Sequence, residues 1–312
     1  MTSHVTDVTD LTGPVPAQHT RAVILLATNY SGSHLLSHLL GAHSACFSVG
    51  ELHRLRKLLT SETTDKIKSD YACHPLFADL AASPPETWHK TLLQRYQLVH
   101  GDPYCVLIDN SKKPAWAQQV LATDQGLSPT NYQYIHLIRD PRALVARWSQ
   151  DHQRLRTRFK VRCRTSRRSH KPQLLLARYS NILVHKWLTE NHTIRQFLRQ
   201  ANHGAASASP VVTYHDMVFA PRRTLARLMP QLGLQPEVQQ MQFGASSLKG
   251  TFKTAHEQSI RQSIITPDLR WQRLLPARTQ QDIINHPDVR DLAGALGLKI
   301  TPQGLSSVNS EP

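Results

Sequence analysis

The sequence is short of acid. Asp and Glu number 22 against 37 Lys and Arg, a formal net charge of +15 over 312 residues. An excess of that size gives the surface a positive potential and selects for anionic partners: a nucleotide, an acidic glycan, nucleic acid or anionic lipid. Cysteine is sparse too. Cys46, Cys73, Cys105 and Cys163 are scattered with no C-x-x-C pair, so neither a zinc site nor a disulfide framework is expected, and the thiols read as reduced. The 18 histidines form no H-E-x-x-H arrangement, and no metal is expected. Apolar runs are short; that at residues 22–27 cannot cross a bilayer. Residues 1–20 are polar, with acids and Gly13-Pro14 where a secretory leader would carry basic residues and an apolar core. These absences lead to the expectation of a soluble, cytoplasmic protein without a transmembrane segment.

What is present is alternation of strand and helix. Apolar strands over residues 22–27, 106–109, 134–138 and 211–213 are separated by stretches with helical spacing. One of these is 174–187, with Leu175, Tyr179, Ile182, Leu183 and Trp187; another is 224–232, closed by Gly233. The pattern predicts an α/β fold, a three-layer parallel sheet flanked by helices. The length suits a single domain over residues 21–302, with disordered tails at 1–20 and 303–312. No internal repeat is evident.

Two strand-to-helix turns carry the chemistry. In the first, Asn29-Tyr30-Ser31-Gly32-Ser33-His34 links the 22–27 strand to a helix. Small residues there leave backbone N–H groups free at the positive end of the helix dipole, a site for phosphate or a related anion. An ordinary turn that binds nothing reads the same way, and a second site decides the matter. It is Arg139-Asp140-Pro141-Arg142, at the carboxyl end of the 134–138 strand, where open α/β sheets place their ligands. Pro141 suits the first helical turn and Asp140 the N-cap. Arg139, Arg142 and Arg147 offer planar guanidiniums suited to phosphate oxygens.

Together these segments resemble the sulfotransferase superfamily that uses 3′-phosphoadenosine-5′-phosphosulfate (PAPS), in the style of its bacterial and tyrosylprotein-type members. Tyr30-Ser31-Gly32-Ser33-His34-Leu35 is similar to the family's R-S-G-[ST]-T-x-L segment for the 5′-phosphosulfate. The run from Arg139 to Arg147 is similar to its R-D-P-R-x-x-x-x-S segment for the 3′-phosphate. Residues 106–113, 211–221 and 264–274 resemble the family's "vDsSK", "Y-E-D-L … P" and "I..D..W+..L" passages, and 250–253 its G-N-x-x-R donor loop. Two positions depart: Tyr30 stands where the family has Arg or Lys, and Arg147 where it has Ser.

The resemblance implies a P-loop-NTPase-like sulfotransferase fold and transfer of a sulfuryl group from PAPS to an acceptor hydroxyl, without a metal. It implies donor binding by Asn29, Tyr30, Ser31, Gly32, Ser33, His34, Arg139, Arg147, Tyr214 and Lys253. Glu51, in Val49-Gly50-Glu51, matches the family's "G-E" catalytic base, with one extra residue of spacing after His43. His53 is the reserve base. Lys112, with Lys113 second, is the cation for the leaving group, and also replaces the charge missing at Tyr30. A P-loop NTPase would need G-x-x-x-x-G-K-[ST], which is absent. The alternative is a nucleotide- or polyanion-binding protein of this fold without turnover.

A basic block marks the region near 151–172. Residues 154–171 hold nine Lys or Arg and no acid. Like charges repel, so the block reads either as a mobile insertion or as a loop gating donor or acceptor. An anionic glycan acceptor would suit it; nucleic acid is not expected, since Phe159 is the block's one aromatic for base stacking.

Overall fold

Burial on both faces explains why the run at residues 22–27 is continuously apolar. It forms most of β1 (Thr20–Ala27), the middle strand of a five-stranded sheet in the computed structural model. The structure describes residues 20–60, 75–101, 105–122, 125–201, 209–245 and 262–308. From β1 the chain runs through α1 (Ser33–Gly41), β2 (Cys46–Gly50), α2 (Leu55–Thr60), α3 (Trp88–His100), β3 (Cys105–Lys112) and α4 (Pro114–Val120). It continues through β4 (Tyr132–Ile138), α5 (Pro141–Asp151), α6 (Leu155–Ser169), α7 (Tyr179–Ala201), β5 (Val211–Thr213), α8 (Tyr214–Phe219) and α9 (Pro221–Leu228). The last elements are α10 (Trp271–Leu274), α11 (Ala277–Ile284), α12 (Pro287–Gly294), β6 (Leu298–Ile300) and β7 (Leu305–Ser307).

The sheet order is β2-β3-β1-β4-β5, with every pairing parallel. The two-residue period of β1 divides its side chains between two cores. Ala22, Ile24 and Leu26 pack with Trp88, Leu92, Trp116 and Phe197. Val23, Leu25 and Ala27 pack with Leu36, Leu39, Met217 and Leu228. Helices therefore cover both faces, the three-layer α/β fold that the alternation predicts. Because β1 lies between β3 and β4, the carboxyl ends of these three strands open onto one crevice.

Several local expectations need correction. The basic block is a helix, α6, with Thr165 and Ser166 buried on its inner side. Arg162 makes this possible by donating to the carbonyls of Leu174, Leu175 and Ala177, which pins the following turn to the helix. Those bonds also stop the helix expected over 174–187 from starting early: Pro172–Leu175 is a 3-10 turn, and α7 begins at Tyr179. The tail expected to be disordered from 303 contains β7, paired antiparallel with β6. Ser307 donates its N–H (3.1 Å) and its hydroxyl (2.5 Å) to the buried Asp216 carboxylate, which fixes that strand. Pro230 breaks the helix expected over 224–232 into α9 and a 3-10 turn, Met229–Leu232, closed as expected by Gly233 at φ 69°. The donor-loop match at 250–253, Lys253 included, lies outside the described residues.

Candidate functional site

The turn after β1 leaves the start of α1 open. Thr28 and Ser31 are buried and their hydroxyls bond each other at 2.6 Å, closing the loop. Gly32 follows at φ 89° as the N-cap of α1 and makes no side-chain cap. The first-turn N–H groups of Ser33, His34 and Leu35 therefore have no intrahelical acceptor. Gly32 cannot be exchanged: a Cβ there would stand 2.6 Å from the Tyr214 ring, in a backbone region that L-residues avoid.

The second turn touches the first. Asp140 caps α5 as its sequence predicts, accepting the Arg142 N–H at 2.8 Å. Arg139 leaves the end of β4 and donates to the Tyr30 carbonyl at 2.7 Å. Its guanidinium lies on the Tyr214 ring, 4.0 Å from the centroid. The Arg147 guanidinium sits 4.7 Å over the Tyr30 ring and pairs with Asp151 at 3.2 Å. Tyr30, itself at φ 71° and 45 % exposed, thus carries an arginine where the sequence supplies no charge of its own. A hydrogen bond to Asp151 and partial burial raise the pKa of its phenol.

Arg142 departs from expectation. It is wholly buried and chelates Asp140, at 3.0 and 2.7 Å. It also donates to the carbonyls of Thr301 (2.6 Å) and Pro302 (3.3 Å) and lies over Trp271. Its donors are spent on tethering the C-terminal segment, so it is not a phosphate ligand. Sequence reasoning also gave no role to Asp268, whose carboxylate meets Arg139 at 3.0 Å and Arg270 at 2.8 Å. Its own N–H donates to the Tyr214 hydroxyl at 3.0 Å. Hydrogen bonds from Arg270, joined by Arg139, outweigh burial and hold this carboxyl well below the usual range. Arg139, Arg147, Asp268, Arg270 and Trp271 line a shared pocket.

Across the crevice, the ends of β2 and β3 form an acid–base centre. Gly50, at φ 70°, delivers Glu51 to the start of a 3-10 turn. The register of β3 against β1 slips between Asp109 and Lys112, and Lys112 takes a left-handed φ of 66°, a conformation that costs about 1–3 kcal/mol and concentrates at functional sites. Lys112 donates to Glu51, and both are buried. His34, from the first anion turn, reaches the same carboxylate oxygen at 3.3 Å, and Arg54 the other at 3.2 Å. Burial pushes the Glu51 carboxyl up, but His34 and Lys112 together hold it far below the carboxylate range. Burial lowers the pKa of Lys112, against the pull of Glu51.

Asp109 supports this centre from beneath, fully buried at the end of β3. It accepts from the Ser111 hydroxyl and from Trp116 Nε1 (2.7 Å) and pairs with His89 (2.9 Å). Ser111 in turn accepts the His53 N–H at 3.1 Å. The His53 Nδ1 is buried with no hydrogen-bond partner among the described residues, and burial lowers the ring's pKa. Asn110, beside Asp109, is fully buried with neither side-chain polar atom partnered among the described residues. A polar residue inside an apolar strand end was the only sequence signal for it. His34 and His38 stand one turn apart on α1, but no group of three potential metal ligands occurs among the described residues.

No family model matches the chain, and no curated protein matches it. Solved structures do. The sulfotransferase domain of the Synechococcus PCC 7002 olefin synthase aligns over 90 % of this chain and 97 % of its own, with a TM-score of 0.53 at 20 % identity. The sulfotransferase domain of the curacin biosynthetic pathway aligns over 89 % and 97 %, with a TM-score of 0.48 at 16 % identity. A sulfotransferase of Mycobacterium tuberculosis H37Rv aligns over 80 % and 77 %, with a TM-score of 0.42 at 13 % identity.

Proposed function

From a chain with the fold of the sulfotransferase superfamily, we propose an enzyme that moves a sulfuryl group from PAPS to an acceptor hydroxyl, with a glycan as the acceptor class. The observation that carries this reading is the buried Glu51–Lys112 pair, tied through His34 to the anion turn. Two further features fit a doubly phosphorylated nucleotide. Gly32, packed against the Tyr214 ring, begins α1, whose first-turn N–H groups have no intrahelical acceptor. The Arg139 Nε is buried without a partner among the described residues, a donor that a phosphate oxygen would satisfy.

When bound, PAPS supplies the sulfuryl group and leaves as adenosine 3′,5′-bisphosphate. Glu51 takes the acceptor's hydroxyl proton. Its ionised state at neutral pH is secured by His34 and Lys112, which also weakens it as a base. Lys112 resolves that conflict: as its ammonium turns to the negative charge growing on the departing oxygen, Glu51 loses one of its cationic partners and gains basicity. Arg139 and Arg147 hold the nucleotide, with Tyr214 beneath. The glycan acceptor rests on the net charge of +15, which favours acidic acceptors.

The test is calorimetric titration with adenosine 3′,5′-bisphosphate, with ATP and 5′-AMP as controls. Binding that needs the 3′-phosphate and disappears in Arg139→Ala supports the donor site. Equal affinity for 5′-AMP, or none for any nucleotide, overturns it. A nucleotide binder without turnover is the second reading, favoured by Tyr30, which stands where the family has a basic residue. Binding without sulfuryl transfer to any hydroxyl acceptor would select it.

A further inference from the structure

The outer side of α6 carries charge of one sign. Arg156, Lys160, Arg164, Arg167 and Arg168 are exposed, and none is paired with a carboxylate among the described residues. At 100° per residue these five fall within one third of the helix circumference. The adjoining edge is apolar and equally open: Leu155 is 82 % exposed and Phe159 65 %. Arg162, next to them on the helix, binds the carbonyls of Leu174, Leu175 and Ala177. It thereby holds the turn carrying Leu175 and Leu176, 44 % and 94 % exposed, against the helix. The nearby acids are already engaged: Asp151 with Arg147, Asp288 with Lys171 and Glu190 with Lys186.

We propose that α6 and the turn after it dock the protein flat on an anionic phospholipid bilayer. The basic arc would meet the headgroups, and Leu155, Phe159, Leu175 and Leu176 would enter the acyl boundary. The pairing of a Lys/Arg face with a Leu/Phe edge on one helix is the pattern of helices that lie in a membrane interface. Charge alone would suit any polyanion, but four exposed large apolar side chains at the rim gain nothing from a soluble one and are costly to leave in water. A second copy of the chain is excluded as the occupant by like-charge repulsion across the arc. Nucleic acid would have only Phe159 to stack on. The inference is independent of the sulfotransferase reading, because no residue of the site contributes to it. Nor does it require a spanning segment; no described helix is long and apolar enough to cross a membrane.

The test is flotation of the full-length protein with vesicles of phosphatidylcholine alone and of phosphatidylcholine mixed with phosphatidylglycerol. Binding is expected only to the mixed vesicles, and it should weaken as salt is added. Phe159→Gln combined with Leu176→Gln changes no charge and should lower partitioning by about tenfold. Arg164→Gln combined with Arg167→Gln should lower it by a similar factor. All four positions are exposed, and unchanged circular dichroism would show that the fold survives. Failure to float with the mixed vesicles overturns the proposal. So does partitioning that follows the arginines but ignores Phe159 and Leu176, particularly if heparin or RNA then binds as tightly. That result would make the surface a site for soluble polyanions.

Discussion

Asp268 places a carboxylate oxygen 3.0 Å from the guanidinium of Arg139, the residue best placed to hold a nucleotide phosphate. The protein thus carries its own anion at the point where a ligand's anion would bind. Asp268 has a second partner in Arg270, so it can leave Arg139 without becoming an unpaired charge. Arg139 keeps its bond to the Tyr30 carbonyl and its seat on Tyr214, so it need not collapse when released. Asp268→Asn is therefore expected to tighten adenosine 3′,5′-bisphosphate binding by roughly three- to tenfold, since a charged competitor for Arg139 is gone. Arg139→Ala should abolish binding. Calorimetry on both variants checks this; weaker binding in Asp268→Asn would mean that the carboxylate aims the guanidinium and does not compete for it.

The Glu51–Lys112 pair makes a second prediction. Glu51→Gln keeps the shape and removes the base, so transfer should fall by about 10²–10⁴-fold with little change in nucleotide affinity. Lys112→Ala should lower turnover as severely. It leaves Glu51 with His34 and Arg54 as partners, so its cost in stability should stay near 1–3 kcal/mol, below that of an orphaned buried charge. Turnover with a panel of hydroxyl acceptors, alongside urea unfolding, measures both. Full activity in either variant would remove that residue from the chemistry.

Tyr30 distinguishes a lost charge from a relocated one. If its ring is the platform for Arg147, Tyr30→Phe should bind nucleotide as the parent does. Tyr30→Leu should bind about two- to fivefold more weakly, the worth of one partly exposed cation–π contact. Titration of the two variants separates the ring from the hydroxyl. Equal losses in both would instead implicate the hydrogen bond to Asp151.

The two strand-to-helix turns were legible because each follows a dense apolar strand and begins its helix with local chemistry: Gly32 in one, Asp140-Pro141 in the other. What distance brings together was not. Arg139 and Arg142 look alike in sequence, yet Arg142 is committed to carbonyls some 160 residues further on, and nothing local announces that. β7 depends on pairing with β6 and on Asp216, so a short polar run at 305–307 reads as tail. The basic block reads as mobile because charge repulsion is visible in sequence; the carbonyls that Arg162 finds in the next turn are not. Glu51, Lys112 and His34 were each named singly, but only the left-handed turns at Gly50 and Lys112 show that they converge.

Stability should depend on pH through two histidines: His136, buried in the sheet, and His38, largely covered on α1 one turn from His34. His136 is fully buried on β4 beside Asn191, whose Oδ1 lies 2.9 Å from its Nε2. Burial, only partly offset by Asn191, lowers its pKa to about 4. Burial, with the charge of His34, lowers that of His38 to about 4 as well. In the unfolded chain both take up protons near 6.5. As pH falls below that value the unfolded state binds protons first, so stability declines with pH until the folded-state rings titrate near 4. Glu51 has the same sign but acts lower: its depressed pKa stabilises the fold above the unfolded carboxylate value, and that gain is lost only as pH falls below it. Urea unfolding at about pH 7 and about pH 5 should therefore differ by on the order of 1–2 kcal/mol per histidine. His38→Gln should remove its share of the slope, leaving that of His136. A flat profile across this window would mean that both rings are protonated, or water-exposed, in the folded protein.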